Sequence, residues 1–440
     1  MDRSVTGLVA AKAVSDVGFA LDFVCLSVFV WLSTESVLAT GALSVVLYAG
    51  GMAGGQLGHR YGAHWDRRRA MIAADLARAA ALLLLAVAPS ESQLWLLFPA
   101  VFVVGIGRSV FEATLSAATP ALAGERVQLL NSVLAGVKGI ALMAGMGLSA
   151  VAVPLVGFRG VFALDALSYV LSAAAVLMLQ LRLREVPPAG VAPTAATLDA
   201  ASAAARLDAA SAAATLDAAA AAPRRGTARP VAAARGGGLG VAAVAGLPGV
   251  LGAGLALLLA VRGLDALGSA SHHVGLPILG ELQDPANPAG VTGALWMAWA
   301  VGTVAGSFAL RPLLRAVLDR EPAQLFFAAT VVMSLGFIGI FWLGSWSLML
   351  AAAATAGLGD ALSGIAFKQT VQRLPDERRG PAFGLCQTVI NAGFVVGLVV
   401  TSLALTPDRL GGWVLLLHGI PMAAALAAAA ARWRRPAAFP

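Results

Sequence analysis

The stretch GIGRSVFEATLSAATPALAGERV at Gly105–Val127 has a weak echo far downstream, GLGDALSGIAFKQTVQRLPDERRG at Gly357–Gly380. Gly105 falls opposite Gly357, Gly107 opposite Gly359, and Arg108 opposite Asp360. Both segments carry an apolar run out into a basic loop. A parallel repeat of this kind divides the chain into two similar halves, the plan of a large class of secondary transporters with a site between the halves.

Outward from these segments, apolar runs lie at 8–32, 38–58, 70–88, 94–118, 130–156 and 161–181, then at 250–279, 290–310, 324–344, 347–367, 382–405 and 411–431. About 20 apolar residues cross a hydrocarbon core of about 30 Å. The 440 residues are 59% hydrophobic and 12% charged, with a mean hydropathy of +0.83, which excludes an ordinary soluble domain. The expectation is an all-α membrane protein of twelve transmembrane helices in two pseudo-symmetric six-helix bundles, 1–181 and 241–440, joined by a low-complexity linker at 182–240. In that linker Leu198-Asp199, Leu207-Asp208 and Leu216-Asp217 repeat before a Pro, Gly and Arg stretch, a composition suited to a flexible connection. The first run is longer than a secretory core and has no convincing cleavage site, so it reads as an uncleaved span.

A net charge of +7 raises the question of nucleic acid. The arginines crowd alternate loops, at 60 and 67–69, 182 and 184, 311, 315 and 320, 373, 378 and 379, and 432, 434 and 435, while the intervening loops hold only Arg159 and Arg409. That pattern reports topology: both termini and the linker in the cytoplasm, with no nucleic-acid partner. Cys25 and Cys386 both fall within spans and imply no disulfide framework. No GxxxxGK[ST] loop and no nucleophile–base arrangement occur, so neither ATP use nor catalysis is expected, and no catalytic residue is assigned.

Charged side chains at a span centre cost about 2.5–3.5 kcal/mol each on insertion scales, so their positions are informative. Lys12, Asp16 and Asp22 lie in the first span, Arg108 and Glu112 in the fourth, Arg262, Asp265, His272 and His273 in the seventh, and Asp360 and Lys368 in the tenth. Spacings of three or four residues allow Lys12 with Asp16, Arg108 with Glu112, and Arg262 with Asp265 to pair on one helix face. Asp22 and Asp360 have no basic residue at such spacing. A carboxyl that loses water without gaining a cation holds its proton more readily, as a proton carrier must. Asp22 and Asp360 are therefore the leading proton-coupling candidates, with Glu112 and Asp265 behind them. The opposing reading has Asp22 or Asp360 bridged permanently to Arg108 or Arg262. Arg108 and Arg262 suit an anionic group of a substrate because guanidinium stays charged and donates in a planar fork. Asp16 and His272 complete the substrate-binding candidates. His272 and His273 point about 100° apart on a helix and cannot readily chelate one ion, so no metal is expected. Trp296 and Trp299 read first as interface anchors.

Four further stretches carry a resemblance: DRRRAMIAADLARA at Asp66–Ala79, GERVQLLNSVL at Gly124–Leu134, FALDALSYVLSA at Phe162–Ala173 and LPDERRGPAFGLCQTVINAGFVVG at Leu374–Gly397. With these the chain resembles the major facilitator superfamily, and within it the bacterial siderophore and macrolide exporter group. The resemblance implies that the first, fourth, seventh and tenth helices line a central cavity. It also assigns gate roles to Asp66, Arg67, Arg68, Asp75 and Arg78, favours structural roles for Asp165 and Lys138, and places the chain in a bacterial cytoplasmic (inner) membrane. Two departures stand out. Ala63 and His64 replace the Asp-Arg pair that precedes the basic loop motif, and Met146 and Ser149 replace the Pro and a Gly of the fifth-span antiporter motif.

Together these readings lead to a monomeric secondary transporter in contact with lipid. It would export a small amphipathic or partly charged molecule, such as a drug, antibiotic or siderophore-like compound, with a proton gradient in place of any cofactor. The alternatives are an importer or uniporter on the same fold, or a transport-inactive scaffold or sensor.

Overall fold

The computed structural model describes residues 3–61, 66–123, 127–178, 253–309, 313–374 and 376–434. Among the described residues there is no strand. The helices are α1 (Arg3–Thr34), α2 (Val37–Tyr61), α3 (Arg67–Val87), α4 (Ser90–Ala123), α5 (Val127–Met178), α6 (Ala253–Gln283), α7 (Pro288–Val304), α8 (Arg315–Arg320), α9 (Pro322–Trp342), α10 (Trp346–Gln372), α11 (Asp376–Ala404) and α12 (Leu410–Arg434). Among the described residues ten helices are long and apolar enough to cross a membrane by length and composition, and Val389–Ala404 adds a shorter apolar stretch. In lipid a helix satisfies its own backbone polar groups, which is why apolar runs of this length take that form.

Local chemistry sets the ends. Asp66 caps α3 by accepting from the Arg69 amide, and Asn287 caps α7 by accepting from Gly290, with Pro288 in the first turn. The expected connection near 157–160 is no loop. α5 runs through it and breaks at Gly157, whose φ of 65° suits a residue without a Cβ, so one helix carries the fifth and sixth spans. The fourth span, read as 94–118, extends to Ser90–Ala123, and α7 ends in a π turn at Ala305–Ala309. The linker expected at 182–240 lies outside the described residues, as do Ala63 and His64.

The repeat read from the sequence has a packing cause. A Cβ on Gly105 would run into the α2 backbone at Leu47 and Gly51, and one on Gly357 would run into the α7 backbone at Trp299 and Thr303. Gly107 presses likewise on Ala74 and Arg78 of α3, and Gly359 on Ala329 and Met333 of α9. Each glycine pair therefore seats its helix on equivalent neighbours in the two halves, fourth span on second and third, tenth on eighth and ninth.

By the alternation of the helices, the short connections at 35–36, 88–89, 157, 284–287, 343–345 and 405–406 fall on one side, and the described ends of α1 and α12, Arg3 and Arg434, on the other. Among the described residues the buried apolar side chains form one cluster shared by both halves and several confined to one half, two of the first half's lying around Val30 and Leu97 and around Leu21 and Val161. A single large apolar cluster, from Trp31 and Met146 through Trp296 to Phe394 and Leu410, is built by both halves. Toward the terminus end the clusters separate: one around Phe326, Phe327 and Phe367 belongs to the second half alone. Those around Met71, Phe111 and Leu115 and around Val5, Val9 and Leu130 belong to the first.

Candidate functional site

The two halves meet through α2 against α11, α5 against α7, and α1 against α6 and α7. Among the described residues, hydrogen bonds cross between them toward the short-loop end. Trp31 Nε1 donates to Glu281 at 2.5 Å, Asn287 Nδ2 to the Ala150 carbonyl at 3.0 Å, and Ser149 Oγ to the Ala289 carbonyl at 3.1 Å. Ser149 and Met146, the two fifth-span departures, both abut Gly293 of α7, so the small residue of this close contact sits on the partner helix. Deeper in, Phe23 of α1 lies edge-on to His273 and Trp296, with centroids 6.1 Å apart in each case, and Tyr48 meets Phe394 at 5.0 Å. Trp296 and Trp299 are each 3% exposed, so they are not interface anchors but part of the shared core.

Around and below this junction lie the ionisable groups. In the first half Lys12 Nζ sits 2.6 Å from Asp16 and 2.7 Å from Glu112, and Lys138 of α5 reaches Glu112 at 3.6 Å. The expected local pairing of Glu112 with Arg108 gives way to these two lysines from neighbouring helices. The Arg108 guanidinium lies 3.6 Å above the Phe19 ring. In the second half Arg262 Nη1 pairs with Asp265 at 2.6 Å, and Arg262 Nη2 approaches Asp360 at 4.0 Å. Asp360 thus has a guanidinium beside it, from its own half and not across the junction. Asp265 is buried, and Asp360 keeps a side chain 15% exposed.

Asp22 is 2% exposed. Its Oδ1 has no hydrogen-bond partner, and the neighbouring carboxylate that acts on it is Asp165 of α5. The expected gate residues stay within the first half. Asp66 caps α3, Arg67 opens that helix, and Arg68 donates to the Val176 and Leu177 carbonyls. Asp75 and Arg78 form a buried ion pair, with Arg78 also 4.1 Å over the Tyr169 ring. They tie α3 to α5.

His272 and His273 lie inside the molecule, not at an outer surface. His272 stacks on Phe337 at 3.7 Å and shares a hydrogen bond with His418 of α12, Nδ1 to Nε2 at 3.1 Å. His418 had no distinguishing spacing in the sequence. Asp165, Ser168, Tyr169 and Ser172 did: their spacing draws a polar stripe along an otherwise apolar span. Among the described residues no group of three or more His, Cys, Asp or Glu could hold a metal ion.

A sequence profile of the Major Facilitator Superfamily matches residues 13–216. No curated protein matches the sequence. Among solved structures, the POT family transporter PepTSo is similar with a TM-score of 0.68 at 13% identity, over 99% of each chain. A peptide transporter POT in complex with sulfate gives 0.67 at 14% identity, over 98% of this chain and 94% of that one. The nucleoside transporter NupG gives 0.66 at 13%, over 97% and 98%. At these identities the likeness is one of fold, and the fold is that of the major facilitator transporters: all-α, membrane-spanning and built from two six-helix halves.

Proposed function

We propose that a chain with this fold works as a secondary active transporter, alternating access to the junction between its bundles, and that it exports a small amphipathic or partly charged molecule in exchange for protons. The observation that carries this reading is the axial split of the core. Among the described residues the halves share one apolar cluster toward the short-loop end, and the clusters toward the terminus end each stay within one half. Such an arrangement is closed on one side and able to part on the other. Basic residues crowd the terminus end, which supports a cytoplasmic placement of both termini and an inward-facing state, the loading state of an exporter.

By the family resemblance α1, α4, α6 and α10 would line the cavity, and on that reading Asp16, Arg108, Arg262 and His272 serve the substrate, and Asp22, Asp360, Glu112 and Asp265 serve protons. The export direction rests on the resemblance to efflux proteins. A second reading, import or uniport, draws support from the structural neighbours, whose titles name peptide and nucleoside transporters.

Two experiments test the proposal. Trp31→Phe removes the donor to Glu281, a hydrogen bond to a charged acceptor worth about 1.5–3 kcal/mol, so the short-loop end should open in a larger fraction of molecules. Spin labels on cysteines placed at Leu38 and Leu403, exposed positions on α2 and α11, read that opening as a longer distance. One unchanging distance in parent and variant alike would sink alternating access and leave the scaffold reading. Mass spectrometry of cells and medium, with and without the gene, then decides direction. A compound retained inside the deletion strain means export, and one depleted inside it means import.

A further inference from the structure

His272 and His273 are neighbours in sequence with different surroundings. His272 turns into the second half, where it stacks on Phe337 and shares a hydrogen bond with His418. His273 turns to the junction. Its ring centroid lies 5.0 Å from Trp296 of α7, 5.1 Å from Phe394 of α11 and 6.1 Å from Phe23 of α1. Phe23 also meets Trp296, and Phe394 meets Tyr48 of α2. Five rings from five helices, two in the first half and three in the second, therefore meet where the halves must part.

Packing alone does not ask for an imidazole at the centre of this set, since an apolar ring would fill the same space. His273 is 7% exposed, and its Nε2 has no hydrogen-bond partner. The indole N–H of Trp299, one turn along α7 from Trp296, has none either. A buried polar atom without a partner is destabilising, so its presence calls for a reason. The contacts of Phe23 and Phe394 with His273 are edge-on, an arrangement that uses one face of a ring at most and leaves a face for a further ring. Phe23, alone among the five, is half-buried, so a ligand reaches it first. Among the described residues no cation stands over Phe23, Trp296 or Phe394, and no charged side chain acts on His273. An ion brought here would lose its water without gaining a counter-charge, whereas a neutral group would not.

We propose that Phe23, Trp296, Phe394 and His273 form a ring-binding subsite at the junction, which takes a planar, uncharged aromatic group carrying one hydrogen-bonding atom on its edge. The ligand ring enters when the halves part by one ring's thickness, about 3.5 Å, and takes over the contacts that Phe23 loses. Its edge atom meets His273 Nε2 as donor or acceptor, because a neutral imidazole can present either role there. The subsite rests on the transporter reading in one respect, that its ligand class is also the class of the substrate. Binding itself is tested without transport.

The full-length protein in lipid nanodiscs at neutral pH is titrated with tritiated naphthol, and protein-free nanodiscs are subtracted to remove partition into lipid. Unlabelled naphthol, naphthalene, decalol and benzyltrimethylammonium then compete. Naphthalene lacks the hydroxyl, decalol lacks planarity, and the last is a cation. Saturable binding is expected, with naphthalene weaker than naphthol by about 3–10-fold, the value of one neutral hydrogen bond, and with decalol and the cation weaker still. His273→Phe keeps a ring, so it should lower naphthol to the level of naphthalene and leave naphthalene unchanged. Phe23→Leu and Trp296→Leu, one in each half, should weaken both ligands. Phe29→Leu, whose ring packs on Phe158 and Phe162 within the first half, should weaken neither. No saturable binding in the parent, equal competition by decalol or by the cation, or an equal loss in Phe29→Leu and Trp296→Leu would overturn the subsite. The competition series uses the parent alone and so stands even where a variant fails to fold. If the metabolite pools identify a transported compound without a planar ring, the subsite fails and the transporter reading holds. If naphthol binds in the expected pattern while no pool changes, the transporter reading fails and the subsite holds.

Discussion

The two bundles are built on one backbone plan, yet they bury different chemistry. Gly105 and Gly357 seat their helices on equivalent partners. The residues three positions later, Arg108 and Asp360, carry opposite charge. The first bundle spreads ionisable side chains over α1, α3, α4 and α5 and ties them together across helices. Among the described residues the second keeps Arg262, Asp265 and Glu281 on α6, Asp360 and Lys368 on α10 and Arg432 on α12, and adds the imidazoles of His272, His273 and His418 against Phe337 and Trp296. The difference teaches that the repeat governs helix packing, where a Cβ either fits or does not, and leaves the choice of buried charge to each half.

The sharpest test of that contrast is to remove one cation from each bundle. Arg262 serves two carboxylates, Asp265 at 2.6 Å and Asp360 at 4.0 Å. Arg262→Ala should therefore destabilise the protein by about 3–5 kcal/mol, the usual cost of stripping a buried charge of its partner. Lys138 is the outer of two lysines on Glu112, and Lys12 remains at 2.7 Å when it is gone. Lys138→Ala should cost about 1 kcal/mol, near the lower end for a hydrogen bond to a charged group. Thermal unfolding of the two purified variants in one detergent measures both. Equal losses would mean that the first bundle has no redundancy in its charges.

The shared plan predicts losses of the same kind in both halves where the buried charges predict difference. A methyl group on Gly105 would press first on the Leu47 carbonyl oxygen, and one on Gly357 closer still on the Trp299 carbonyl oxygen, in each case a backbone atom of the neighbouring helix. Backbone cannot swing aside as a side chain can, so Gly105→Ala and Gly357→Ala should each cost about 1–3 kcal/mol through forced separation of helices. A drop in Tm in both variants, with Gly357→Ala the larger, would support pseudo-symmetric packing. A variant that loses nothing would show that its half does not depend on the close contact.

How much of this was legible in the sequence follows from the range of each interaction. Twelve apolar runs and one repeat were enough for the fold, because span length and small-residue contacts are written locally. Lys12 with Asp16 and Arg262 with Asp265 were legible for the same reason, since three or four residues make one helix face. Glu112 was misread because proximity in sequence favoured Arg108, while the bundle brought Lys12 from α1 and Lys138 from α5. Trp296 looked like an interface anchor from its place at a helix start, and only the approach of α1 puts Phe23 beside it. The link between Asp22 and Asp165 was half visible, in the polar stripe on the sixth span, but nothing in a linear pattern says which helix that stripe faces. The gate motif remained open because Ala63 and His64 lie outside the described residues.

The smallest expected effect bears on whether the imidazoles of the second bundle form a unit independent of the charges in the first. His272 Nδ1 and His418 Nε2 are 3.1 Å apart, so one ring donates and the other accepts. His418→Leu leaves the His272 nitrogen buried without that partner, and His272→Leu does the reverse. Each should cost about 1–3 kcal/mol, whereas the double variant removes both polar groups and should cost less than the two together, by a coupling of about 0.5–1.5 kcal/mol. His272 also stacks on Phe337 at 3.7 Å, so its loss should exceed that of His418 by the value of the ring contact, about 0.5–1 kcal/mol. Strict additivity between the two leucine variants would dissolve the pair. Combined with Asp22→Asn, by contrast, His418→Leu should be additive within about 0.5 kcal/mol, because no partner is shared between α1 at Asp22 and α12. A larger coupling there would show that the two bundles, alike in backbone and unlike in chemistry, are nonetheless read as one electrostatic unit across the junction.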